Sequence, residues 1–153
     1  MKNHFDHLRT IRNNALRAIE NLSLESLNEI PQGYNNNLAW NLGHMAVTQQ
    51  LLCYKLSGNT MYVENELVSK YRKGSKPEGK VEQTELDFIK NLLIVLVDKM
   101  EDDFNNNHFT SFNEYPTSFN ITLNSIDDAI AFNNIHEGMH LGYILAMKKT
   151  LGV

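Results

Sequence analysis

His136-Glu137-Gly138-Met139-His140 carries two imidazoles four residues apart. In a helix, four residues advance the chain by about 400°, which leaves the two rings about 40° apart on one face. Two imidazoles one turn apart can chelate a single divalent ion. The string also matches H-E-x-x-H, in which the glutamate serves as general base beside a zinc-bound water. Only thirteen residues follow His140, and none is His, Cys, Asp or Glu. The downstream third ligand of the common enzymes with that pattern is therefore missing, and a third ligand must come from upstream.

His44 is the best upstream candidate. It lies in Asn41-Leu42-Gly43-His44-Met45-Ala46, in largely apolar surroundings. Cys53 is nine residues on, about half a turn away in rotation, and faces elsewhere. His4 and His7 sit on a terminal turn and His108 in a polar loop, so all three read as surface residues. Taken singly, a histidine on an apolar face is more ordinarily a hydrogen-bonded core side chain. Three of them on two interior helix faces point to one divalent metal ion. Glu137 is offset from His136 by about 100°. It is either a carboxylate facing a neighbouring helix or a base near metal-bound water.

Helices must position these groups. Phe5, Leu8, Ile11, Ala15, Ile19 and Leu22 recur at spacings of three and four, which predicts an amphipathic helix over 3–22. Leu24 and Leu27 fall in a connection ending at Pro31-Gln32-Gly33. Asn36 or Asn37 caps a second helix over 37–57, which carries His44 and stops near Gly58. A polar crossover over 58–80 holds a possible short helix from Glu64 to Tyr71. A third helix over 82–104 starts with Thr84 and Asp87 in the manner of a capping box. Residues 105–123 are irregular, with Ile121-Thr122-Leu123 briefly extended. The last helix starts at Ser125-Ile126-Asp127-Asp128 and carries the histidine pair. Four such helices predict an all-α four-helix bundle. The short first connection makes the first two helices antiparallel neighbours, and the long second one lets the third run parallel to the second.

The bulk properties fit one domain over residues 1–153. The chain has a net charge of −4, 42% hydrophobic residues and one cysteine. An internal disulfide is impossible, and no basic run suggests nucleic acid. The longest apolar run, Leu92 to Val97, is far shorter than the roughly 20 residues a membrane span needs. With no apolar leader evident at the start, the expected location is the cytoplasm.

Trp40-Asn41-Leu42-Gly43-His44-Met45-Ala46 and His136-Glu137-Gly138-Met139-His140-Leu141-Gly142-Tyr143-Ile144 together resemble the two signature segments of the DinB-like (YfiT-like) superfamily, and the resemblance extends over the whole chain. It implies a four-helix bundle with mixed parallel and antiparallel neighbours. It also implies a divalent-metal site, zinc or nickel foremost, with His44, His136 and His140 as ligands. The better-understood relatives act on small molecules with a low-molecular-weight thiol as cosubstrate, and homodimers are common among them. Three neutral imidazoles leave coordination positions open, as catalytic sites do. The expected activity is that of a metal-dependent thiol S-transferase, in which a coordinated small thiol loses its proton and attacks an electrophile. Two alternatives are a hydrolase using metal-bound water with Glu137 as base, and a non-catalytic, stress-associated metal-binding bundle.

Overall fold

The four apolar stripes become four long helices in the computed structural model, which describes residues 2–153. These are α1 (Lys2–Ile19), α3 (Leu38–Gln49), α5 (Gln83–Asn105) and α6 (Ile126–Leu151). Two short helices, α2 (Leu24–Asn28) and α4 (Asn65–Tyr71), lie in the connections. A two-residue hairpin, β1 (Tyr115–Pro116) against β2 (Thr122–Leu123), precedes α6. The all-α bundle expected from the periodicity is the architecture found.

Side-chain pairs fix how the helices run. Arg12 reaches the Leu93 carbonyl and Arg9 reaches Asp98, so α1 and α5 are antiparallel. Asn134 meets His4 while Lys148 meets the Ala18 carbonyl, so α1 and α6 are parallel. Gln49 donates to the Leu96 carbonyl and Tyr54 to Asp103, which sets α3 parallel to α5. Asn41 meets His140 and His44 meets His136, which sets α3 antiparallel to α6. The mixture of directions follows from the two long crossovers, as expected. One expectation needs correction. Helices α1 and α3 are antiparallel, but each packs chiefly against α5 and α6, so they face one another across the diagonal. The intervening α2 packs on α3 and carries the chain across.

The ends of the helices are set by local hydrogen bonds. Asn37 accepts from the Trp40 N–H at 2.8 Å and caps α3. Ser125 accepts from the Asp128 N–H, and Asp128 in turn accepts from the Asn124 N–H at 2.9 Å, a reciprocal arrangement that starts α6. Gly152, at φ +73°, ends it in the left-handed conformation favoured by glycine. Thr84 does not cap α5. The helix starts two residues earlier than that reading, at Gln83, because Asn28 bonds both the N–H and the carbonyl of Val81 and pins the chain there. Ser23 caps the unanticipated α2 by accepting from the Ser26 N–H. Beyond Gln49 the helix continues as a π-helical turn, Gln50–Lys55. Such turns insert one residue and re-aim the side chains that follow.

The core divides in two. Leu38, Leu42, Met45, Leu86, Ile89, Leu93 and Ile144 fill one end, and Phe5, Leu8, Leu52, Tyr54, Met100 and Ile130 fill the other. The histidine-bearing faces of α3 and α6 meet beside this core.

Candidate metal centre

Helices α3 and α6 bring His44, His136 and His140 together. One ring nitrogen from each lies within 4.8 Å of the other two, and all three residues are buried. Nε2 of His44 and Nε2 of His136 are 3.3 Å apart. Two nitrogens bound at zinc distances in tetrahedral geometry are separated by about 3.3 Å, so this pair already has the spacing of a coordination edge.

The outward ring nitrogens orient the rings. His44 Nδ1 lies 2.6 Å from the Tyr71 carbonyl, which can only accept. The proton is therefore on Nδ1, and Nε2 presents a lone pair to the centre. His140 Nδ1 lies 2.8 Å from Asn41 Oδ1, and Asn41 is fixed in that sense because its Nδ2 donates to the Asn37 carbonyl at 2.8 Å. His136 Nδ1 is buried without a hydrogen-bond partner among the described residues. The Trp40 indole stacks on His44 with ring centroids 4.5 Å apart.

The electrostatics favour neutral rings. Burial lowers the proton affinity of His44 even though its hydrogen bond to the Tyr71 carbonyl acts the other way. Burial, then the neighbouring His44, pushes His136 down to about 3. Burial, then His136 and His44, pushes His140 down to about 2. His44 and His140 are thus held with Nε2 lone pairs turned to the centre, and the third neutral ring, His136, places its Nε2 3.3 Å from that of His44. The donor set fits a divalent ion of the imidazole-binding kind.

The three imidazoles form part of the wall of a cavity of about 640 Å³. Its other walls come from the segment Gly33–Asn36, the start of α3, the π-helical turn, and the hairpin loop at Thr117–Phe119. Thr48, which approaches His44 Nε2 at 3.3 Å, and the lysines Lys55 and Lys73 also face this space. Cys53 does not. It is fully buried in the core, where burial pushes its thiol far up. His7 and His108 are exposed and His4 is half-buried against Asn134, so none of them joins the centre.

Glu137 lies outside the cavity wall and is 0% exposed. Both of its oxygens are engaged by Arg12, from Nε at 2.8 Å and Nη2 at 2.6 Å. Asn133 also donates to it, at 2.8 Å. Arg12 completes its set with the Leu93 carbonyl at 3.1 Å and Gln49 Oε1 at 3.2 Å. One ion pair thus ties all four long helices together, one turn from the histidines. Arg12 was not anticipated. The signal was there: it lies at a core position of the stripe Leu8, Arg12, Ala15, Ile19. Asn41 and the Tyr71 carbonyl were missed as well. An asparagine in an apolar run one turn before His44 is a visible flag, whereas a backbone carbonyl supplied by a distant loop is not.

Gly43 lets that loop approach. A Cβ there would lie 2.6 Å from Tyr71 Cγ and 2.7 Å from Cε1. Gly43→Ala is expected to push Tyr71 away and withdraw its carbonyl from His44. Losing such an outer partner costs about 10–100-fold in metal affinity. A competition titration with a chromophoric chelator would measure this, and an unchanged affinity would show that the ring can yield without its carbonyl.

The family model of the DinB superfamily matches residues 7–144. No curated protein matches the chain.

Proposed function

The chain belongs to the DinB superfamily, and from that premise we propose that it is a metal-dependent enzyme that activates a small thiol toward an electrophilic substrate. His44, His136 and His140 would hold the ion, with zinc or nickel foremost. The observation that carries the reading is three buried imidazoles opening on a cavity of about 640 Å³. A purely structural site would be closed by a fourth protein ligand, and the cavity gives small molecules access to this one.

A bound divalent ion would supply the Lewis acidity that keeps a coordinated thiol deprotonated. The chain's own residues do the rest. The Tyr71 carbonyl and Asn41 hold two imidazoles as Nε2 donors. Trp40 covers one face of His44. Phe119, Phe132 and Leu52 supply apolar wall for the body of a substrate. The hydrolase reading loses support because both oxygens of Glu137 are held by Arg12, which leaves no free base at that position. The reading includes a cytoplasmic location and a homodimer, the latter supported by exposed Ile135 and Leu145 on α6.

The test is a panel of small thiols with a chromogenic aryl halide and metal-loaded protein. At least one thiol should give a rate that disappears with chelator and returns with added metal. No metal-dependent rate with any thiol would overturn the transferase reading.

A further inference from the structure

The cavity wall carries two ammonium groups, Lys55 and Lys73, and, among the described residues, no aspartate or glutamate. This bias runs against the chain as a whole, whose net charge is −4. Four cationic side chains elsewhere meet carboxylates: Arg9 meets Asp98, Arg12 meets Glu137, Lys70 meets Glu85 and Lys99 meets Asp103. Neither Lys55 nor Lys73 takes part in an ion pair among the described residues.

Lys73 has a fixed base. The Ser75 N–H donates to the Arg72 carbonyl at 3.1 Å, closing a turn with Lys73 and Gly74 at its centre. Gly74 has φ +88°, the left-handed conformation that the third position of a type II turn requires. The Ser75 hydroxyl accepts from the Trp40 indole at 3.0 Å and reaches the Lys70 and Arg72 carbonyls at 2.8 Å each. Trp40 stacks on His44, and the Tyr71 carbonyl holds His44 Nδ1. The turn bearing Lys73 and the histidine centre are therefore one hydrogen-bonded unit. Lys55 is the last residue of the π-helical turn that follows α3 and lines the same cavity. Both lysines are exposed and stand at the open side of the cavity, where charges of one sign bias the potential met by an entering molecule.

Taking as its basis the reading of this cavity as a small-molecule site, we propose that its natural ligand is an organic anion, a carboxylate-bearing compound whose charged end is held by Lys73 with Lys55. Its apolar body would lie along Phe119 and Phe132, and its reacting group would reach the histidine centre. An amine-bearing ligand would be repelled.

Two matched pairs of probes test this on the intact chain. In cobalt(II)-loaded protein, 3-mercaptopropionate and its uncharged amide are titrated by the absorption band of the coordinated thiol. Separately, benzoate and benzamide are compared by the thermal shift they give the same protein. The anion of each pair should bind about five- to tenfold more tightly, the range of one or two partly screened ion pairs. Lys73→Gln and Lys55→Gln together should remove that preference while leaving cobalt content and binding of the neutral probes unchanged. An anion preference that survives in the double variant would overturn the proposal, because the ion alone would then account for it. Equal binding of anion and amide in both pairs would overturn it too. If the thiols leave the cobalt spectrum unchanged but benzoate keeps a lysine-dependent advantage, the thiol reading fails and the anion site stands.

Discussion

A His136→Ala/His140→Ala double variant is expected to lose stoichiometric binding of zinc or nickel while keeping its helical content. The remaining His44 is a single neutral ligand, so the drop should exceed the roughly 100-fold that follows loss of an outer partner. Elemental analysis after dialysis and a competition titration measure it. Unchanged metal content would refute the ligand assignment. The same variant should also change the acid behaviour of the metal-free protein. Burial, first among the causes, holds His136 near 3 and His140 near 2. In the unfolded chain each returns to about 6.5. The unfolded state then takes protons that the folded state refuses. Stability from these neutral rings is complete above about pH 6.5 and is lost as pH falls below it, by up to about 1.4 kcal/mol per pH unit for each histidine. Urea midpoints at pH 7 and pH 5, in chelator, should fall steeply for the natural sequence and less steeply for the double variant.

Glu137→Ala should cost more stability than any change at the cavity rim. Arg12 and Glu137 are 1% and 0% exposed, and breaking such a pair by removing one partner costs about 3–5 kcal/mol, because the other charge stays buried and uncompensated. The loss should appear as a lower denaturant midpoint. Replacing both members, Arg12→Met with Glu137→Leu, should recover most of it, since an apolar pair of similar volume removes the orphaned charge. That rescued variant also separates two roles for Glu137. If the carboxylate serves to hold α6 in register, the rescued protein should bind metal and turn over thiols to a comparable extent. If it is a base, stability returns and turnover does not.

The sequence made the helices legible because their stripes are long and regular. It made His136 and His140 legible because both lie on one helix, where spacing converts directly into angle. His44 could be inferred only by default, from the absence of any His, Cys, Asp or Glu in residues 141–153 and from apolar neighbours. The diagonal placement of α1 and α3 was not readable, since connection length speaks to direction more than to adjacency. The role of Glu137 was left open for a related reason. Its offset of about 100° from His136 points to a neighbouring helix, but which charge waits there depends on α1 packing, and Arg12 lies 125 residues away. The cationic side of the cavity was hidden too. Lys73 belongs to a basic stretch that reads as solvated loop, and only the stitching of that loop to Trp40 by Ser75 brings it to the histidines.

The contact between His44 and the Tyr71 carbonyl has a consequence for how the centre can change over generations. A main-chain oxygen is present whatever side chain the codon specifies. Exchanges at position 71 therefore leave the acceptor in place as long as the loop keeps its course. Insertion or deletion of a single residue between Gly58 and Ser75 would move it. The heritable constraint on this imidazole is then a length and a path, and column-by-column comparison of related sequences would pass over it while a count of gaps would find it.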